Sequence, residues 1–279
     1  YGVIGIDMKD RPFSGFEVTI LHSILHETAM ALENEKMRLE HHKSEMEAQN
    51  ERLRSALLRS ISHDLRTPLT AIYGNAANLM ENADLMSQED KREVYDDIRE
   101  NSGWLVRQME NILSMTKLET DPRISITAEN VEDVILESVR HLGTHPERKI
   151  VLDLPEEPLF ALMDPRLIVQ VLDNLLNNAM KYTPPGSSVY ISAGVSDGKV
   201  RISVGDEGSG IPEEDREHIF DLFWTGRREG SDSSRSMGIG LNLCQMIMKA
   251  HHSVIEVTDR QPKGAEFSIY LQAKEIVYE

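Results

Sequence analysis

The sequence predicts an α+β multidomain chain: a long helix and a helical hairpin, then an α/β two-layer sandwich. Three observations predict it. Residues 16–80 carry a helical pattern with no proline until Pro68. A second helical run follows a short polar link at 81–90. Beyond Asp121, short strand-like runs alternate with helical ones, and 11 of the 17 glycines fall from Gly186 onward, in the gaps between those runs. At 279 residues, a length prior of about 100–200 residues per domain allows roughly two such parts.

The first element is YGVIGIDMKDRPFSG, an alternating apolar stretch closed by a Gly/Pro turn. One short strand cannot make a stable sheet, so residues 1–30 read as the last edge of another domain. Residues 31–54 read as a coiled-coil rod. Leu32, Leu39, Met46 and Leu53 recur every seven residues, the spacing that keeps one seam facing a partner helix. The second seam position holds Glu35, His42 and Gln49, and residues 33–54 mix six acidic with five basic side chains. That suits a solvated rod; a single exposed helix is the alternative.

Between 55 and 120 the apolar stripe thickens. Leu57, Ile61, Leu65, Leu69 and Ile72 are three to four residues apart, and Val94, Ile98, Leu105, Met109, Ile112 and Thr116 form the matching face of the second helix. Ser87 with Asp90 three residues later is an acidic capping box at that helix's start. A hairpin has little core of its own. Two of them from two chains make a four-helix bundle that buries both stripes, so a homodimer is expected.

The region 121–279 completes the chain. Strand-like runs are ISI near 124, KIVLDL, LFALM, SVYISAGV, KVRISVG, SVIEVTD and AEFSIYL, and helical patterns occupy about 130–141, 164–182 and 238–251. Turns at Asp197-Gly198 and 262–264 link the later strands as hairpins. Helices mixed with such strands predict helices on one face of a mixed sheet. Neither a dinucleotide-binding glycine motif nor a GxxxxGK[ST] loop is present.

The charge balance of 30 Lys+Arg against 47 Asp+Glu, net −17, argues against nucleic-acid binding but not against a nucleotide held in a local cradle. A lone cysteine, Cys244, within GIGLNLCQMI excludes an internal disulfide and reads as buried and inert. No run of 18 apolar residues exists to span a bilayer. The segment is expected in the cytoplasm, making no membrane contact itself, with a membrane anchor of the parent still compatible upstream of Tyr1.

Four constellations carry chemistry. In SISHDLRTPLTAI, Ile61 and Leu65 point inward, which turns His63 outward, with Asp64 beside it to accept a ring proton. Thr67, one turn on, shares its surface, and Pro68 is expected to bend or loosen the helix there. A charged surface turn with a chance histidine is the alternative. In DPRLIVQVLDNLLNNAMKYTPPGS, Val171, Leu175 and Ala179 form a core face while Asn174 and Asn178, four apart, share another. Two stacked carboxamides can offer oxygens to magnesium and nitrogens to phosphate, with Lys181 following as a point charge. A polar surface helix is the bland reading.

In VGDEGSGIPEEDREHIFDLF, Asp206 ends a strand before Gly208 and Gly210, where a fixed carboxylate can accept from an adenine amine; Phe220 and Phe223 are expected beneath the next loop. In TGRREGSDSSRSMGIGL, a polar stretch with Arg227, Arg228 and Arg235 precedes Gly238 and Gly240 at a helix start, a site for anions. The polar stretch reads as a lid, or as an ordinary surface loop.

The order and spacing of the four decide between these readings. SHDLRTPLTAI resembles the phosphoacceptor box of bacterial two-component sensor histidine kinases, VLDNLLNNAMKYT their asparagine box, DEGSGIP and MGIGLNLC their two glycine boxes, and IFDLF their phenylalanine box. The likeness covers about residues 55–271. ENILSMTKLE and DLRTPLT resemble the potassium-uptake (Kdp-type) sensor kinases, and residues 1–35 the tail of a GAF-type sensory domain.

The resemblance implies a sandwich of the histidine-kinase/Hsp90-like type that binds ATP and Mg2+. It implies autophosphorylation on His63 with Asp64 activating, and Thr67 serving a phosphatase reaction. It implies Asn178 as the magnesium ligand with Asn174 assisting. Lys181, Tyr182 and Arg235 would line the nucleotide site, Asp206 would bind adenine, and Gly208, Gly210, Gly238 and Gly240 would shape the pocket. The implied partner is a cognate response regulator whose aspartate receives the phosphoryl group. One departure is visible: Ser236 stands where a further glycine is common. The rivals are an ATPase of the same architecture and a silent dimerisation scaffold.

Overall fold

The structure, a computed structural model, describes residues 14–142, 148–225 and 237–274, without the side chains at 42, 44 and 46–60. The expected edge strand in residues 1–13, and Arg227, Arg228, Arg235 and Ser236, lie outside the described residues. The chain divides into two units, 1–63 and 64–279.

Helix α1 (Gly15–Asn82) is continuous through the expected rod and into the hairpin. Ser14 and Glu17 start it with a capping box: the Glu17 amide donates to Ser14 Oγ (3.3 Å) and the Ser14 amide to Glu17 Oε2 (2.9 Å). Pro68 lies inside the helix, which runs on without interruption to Asn82. Leu32 and Leu39 of the heptad seam are exposed in the single chain.

A turn at Ala83–Leu85 leads to α2 (Gln88–Thr120). Its predicted capping box is present, with the Asp90 amide on Ser87 Oγ and the Ser87 amide on Asp90 Oδ2, both 3.1 Å. Two members of the expected apolar face are exposed. Met109 faces outward, and Thr116 gives its hydroxyl to the Ile112 carbonyl (2.7 Å), so the inward face near the C-terminus is Asn111, Met115 and Leu118 instead. Helix α2 stops at Asp121, whose carboxylate pairs with Arg123 in the exposed link beyond.

The sandwich contains β1 (Thr127–Asn130), α3 (Val131–Leu142), β2 (Lys149–Asp153), β3 (Phe160–Met163), α4 (Pro165–Tyr182), β4 (Ser188–Ser196), β5 (Lys199–Gly205), α5 (Gly240–Ala250), β6 (Ile255–Asp259) and β7 (Ala265–Ala273). The ISI run is not a strand; β1 begins after it at Thr127, pairing Thr127–Asn130 with β3. The sheet order is β1-β3-β7-β5-β4-β2, with β6 also on β7, and only β2–β4 is parallel. Register places Val200, Ile202 and Val204 opposite Leu271, Ile269 and Phe267, all buried, so one sheet face is wholly apolar.

Helices α3, α4 and α5 supply the other half of that core. Val171, Leu172, Leu175, Leu176 and Ala179 of α4 are buried, as expected for its core stripe, with Ile135 of α3 and Leu243 and Ile247 of α5. The reverse sheet face is polar: Ser192 meets Ser203 at 2.8 Å, and Arg201 donates to Ser268 at 3.1 Å. The DG hairpin has positive φ at both Asp197 and Gly198, the conformation a two-residue turn needs to match strand twist. Among the described residues no helix is long and apolar enough to cross a membrane.

Candidate functional site

Helix α4 is aimed by its start. Pro165 stands at its first turn, and the Asp164 carboxylate caps the Leu167 amide while also receiving the Ser125 amide at 3.1 Å. Four turns on, the flank of the core stripe carries Asn178 and Tyr182 to the wall of a cavity of about 300 Å³. That is the lower end of the range for small-molecule sites.

Across from them stands the turn after β5. Asp206 is mostly buried, and its Oδ1 accepts the amides of Gly208 (2.7 Å) and Ala265 (3.4 Å). Burial pushes its pKa above the ordinary aspartate value, against those two amides and the Arg260 charge, which pull it down. The carboxylate is thus fixed by backbone while its side chain lines the cavity. Two glycines let the chain approach this closely. A Cβ on Gly208 would lie 2.6 Å from the Tyr182 carbonyl oxygen, and one on Gly264, at φ +115°, would lie 1.9 Å from the Asp206 carbonyl oxygen.

The third wall is the segment before α5. Gly238 (φ +64°) leaves no room for a Cβ, which would sit 2.5 Å from the Phe223 carbonyl carbon. Its own carbonyl receives the Phe223 amide, and Asn242 of α5 donates to the Phe220 carbonyl, so the phenylalanine segment is braced by backbone. Gly240 lines the cavity on one side and meets the Asn174 carboxamide on the other. Apolar side chains of Ile211, Ile219, Trp224 and Phe267 complete the enclosure.

Of the sequence-predicted residues, the cavity therefore gathers Asn178, Tyr182, Asp206, Gly210, Gly238 and Gly240. Gly208 acts behind it by packing on Tyr182. Asn174 faces α2, accepting from Asn111 Nδ2 at 3.2 Å. Lys181 Nζ is buried without a hydrogen-bond partner, 5.1 Å from the Tyr182 ring centroid. A buried ammonium in that state suits an anion beside it. Asn178 brings a carboxamide oxygen to the cavity wall, a hard donor that together with ligand phosphates could hold a divalent ion in the manner magnesium favours.

His63 and Thr67 are exposed on α1 and Asp64 is half-buried. Cys244 is fully buried and its thiol is pushed up to about 12, chiefly by burial, in keeping with an inert residue. Sequence reasoning missed Gly264, read only as part of a hairpin turn, and the apolar wall. Trp224 directly follows the phenylalanine segment, which is the one local signal; Ile219 and Phe267 meet only through the fold.

Comparison with known proteins matches the hairpin helices and the sandwich to two different families. Residues 53–121 match the "His Kinase A (phospho-acceptor) domain" model, and residues 163–275 match the "Histidine kinase-, DNA gyrase B-, and HSP90-like ATPase" model. Sensor protein KdpD of Clostridium acetobutylicum is 40% identical over 268 residues, covering 95% of this chain and 30% of its own. KdpD of Escherichia coli is 31% identical over 246 residues, covering 87% of this chain and 27% of its own. The chain thus spans less than a third of these relatives. The adaptive-response sensory kinase SasA of Nostoc sp. is 30% identical over 291 residues, covering 97% of this chain and 71% of its own. Acinetobacter baumannii histidine kinase AdeS shares the fold at TM-score 0.54 and 22% identity, over 76% of this chain and 98% of that one. Histidine kinase ThkA, solved with response regulator protein TrrA, does so at 0.54 and 23%, over 77% and 60%.

Proposed function

This chain belongs to the sensor histidine kinases, a family with an ATP-binding domain and a phospho-acceptor domain, and we propose that it autophosphorylates His63 from ATP. The phosphoryl group then passes to an aspartate of a response regulator. The observation that carries this reading is the convergence of Asn178, Tyr182, Asp206 and the glycine turns on one cavity, in a chain that also presents His63 on an exposed helical surface.

Adenine enters the apolar enclosure, where its exocyclic amine donates to the Asp206 carboxylate. The phosphates extend toward Gly238 and the start of α5, whose free amides favour negative charge. Lys181 supplies a cation beside Tyr182. Magnesium, when bound at the Asn178 oxygen, offsets charge on the phosphates. A neutral His63 ring nitrogen attacks the γ-phosphorus in line, forming an N–P bond as the bond to the β,γ-bridging oxygen breaks, and ADP leaves. Asp64 accepts the remaining ring N–H and supports the positive charge that develops on the imidazole.

The finer assignments rest on the same footing. Residues 31–54 act as a signalling rod, 55–120 as the dimerisation and phosphotransfer unit, and 121–279 as the nucleotide unit. Exposed Leu69, Tyr73, Met109 and Leu113 on the hairpin helices support homodimerisation. Thr67, on the surface of His63, orients water in a phosphatase reaction on the regulator. Likeness to two sensor proteins KdpD supports a Kdp-type sensor, and the GAF-like reading of residues 1–30 rests on the sequence resemblance.

Incubation with γ-labelled ATP tests the central claim. Acid-labile, base-stable label on the chain, abolished in His63→Ala, is the expected result. Label that persists in that variant refutes the site.

A further inference from the structure

A second carboxylate, to which the reaction assigns no role, lines the nucleotide cavity. Asp215 is only 9% exposed and stands in the chain between Ile211 and Ile219, two walls of the apolar enclosure. Its backbone is held firmly. The amide donates to the Pro212 carbonyl (3.0 Å), and the carbonyl accepts the amides of His218 (2.9 Å) and Ile219 (3.0 Å). Among the described residues its carboxylate has no hydrogen-bond donor and no ion-pair partner. The cation next to it in the chain, Arg216, is committed elsewhere: it donates from Nε and Nη2 to the Ile211 carbonyl (3.3 Å each) and pairs with Asp259.

A carboxylate nine-tenths buried is costly to keep without a donor, and the fold supplies none. An ionised carboxylate accepts and cannot donate, so the group that completes this one must bring an N–H or O–H. ATP carries three such groups, the exocyclic amine of adenine and the 2′- and 3′-hydroxyls of ribose. The amine goes to Asp206 in the reading above. The triphosphate has only acceptors and charge of the same sign, and its place is toward Gly238 and the head of α5. That leaves the ribose hydroxyls for Asp215, on the wall that also encloses the base.

We propose that Asp215 is a specificity-determining residue that accepts a ribose hydroxyl, so that the site distinguishes ribonucleotides from deoxyribonucleotides. The inference rests on the ATP-binding reading above.

Titration calorimetry on the whole chain tests it, with ADP and its 2′-deoxy and 3′-deoxy forms, each with and without magnesium. The wild type is expected to bind ADP about 10- to 100-fold more tightly than at least one deoxy form, the range that a hydrogen bond to a charged group commands. The form that loses affinity identifies the hydroxyl. In Asp215→Ala that preference is expected to vanish, through weaker binding of ADP and not of the deoxy form. Asp215→Asn keeps a neutral acceptor and should show a reduced preference, which carries the test should the alanine variant fail to fold. A wild type that binds ADP and both deoxy forms equally overturns the proposal while leaving nucleotide binding intact. So does a variant that weakens all three alike: without regard to magnesium it makes Asp215 structural, and only with magnesium present it makes Asp215 a metal ligand. A wild-type chain that binds none of the three overturns both readings.

Discussion

The sandwich and the long helices use the same aliphatic side chains to opposite ends. In the sandwich, Ile168, Val171 and Ile247 are completely buried by elements of their own chain. On the hairpin helices, Met80 is 88% exposed and Tyr73 77% exposed. A two-layer fold closes its core internally, whereas a helix has one stripe and needs another helix to cover it. The first region closes its core within one chain. The second leaves its apolar stripe exposed in the single chain, on the surface where the proposed dimer would form.

The largest expected effect breaks this comparison at its root. Leu172→Ala, at a site 1% exposed, should cost about 2–5 kcal/mol in urea unfolding, independent of protein concentration. Leu69→Glu, on an exposed site, should leave the sandwich transition in place and instead abolish the concentration-dependent association that ultracentrifugation is expected to show for the wild type. If both variants behave alike, the division between closed and open cores fails.

A smaller effect separates binding from stability inside the sandwich. Asp206→Asn keeps an oxygen for the Gly208 and Ala265 amides and removes a charge that burial disfavours. A raised carboxyl pKa means that ionised Asp206 lowers stability as pH rises through its folded pKa, so the variant should melt no lower than wild type at pH 7. Its nucleotide affinity should fall about 10- to 100-fold, because the adenine amine would lose a charged acceptor. A variant that loses stability and keeps affinity would reverse the assignment.

The smallest effect concerns how the sandwich ties α5 to α4. His251 donates from Nδ1 to the Ile247 carbonyl (2.8 Å) and accepts the Asp164 amide on Nε2 (3.0 Å), so only a neutral ring fits. Burial depresses its pKa below the ordinary histidine value, although the Ile247 bond and Asp164 oppose the shift and His252 adds to it. Its contribution is therefore present above about pH 6.5 and is lost as pH falls through the depressed folded value. His251→Gln should show a stability deficit at pH 8 that shrinks by pH 5. A deficit constant with pH would place the effect in packing instead.

Legibility in the sequence followed the strength of local signals. Helix α4 was expected at 164–182 and lies at Pro165–Tyr182, because a cap, a proline at the first turn and a strong apolar stripe all agree. Strand β1 was misplaced onto ISI: Thr127–Asn130 is short and polar, and its pairing with β3 alone makes it a strand. Pro68, which the sequence places just after His63, lies within α1, and the helix continues past it to Asn82.

The sequence by itself determined the helix periods, the caps and the ordered motifs that mark an ATP-binding kinase, since each depends on residues within a turn or two of one another. Only the tertiary structure decided that Gly264 must be glycine, that Ile219 and Phe267 wall the same cavity, and that Asn174 meets Asn111 from 63 residues away. Those facts arise when distant backbones come within van der Waals or hydrogen-bond range, and no local pattern encodes that distance.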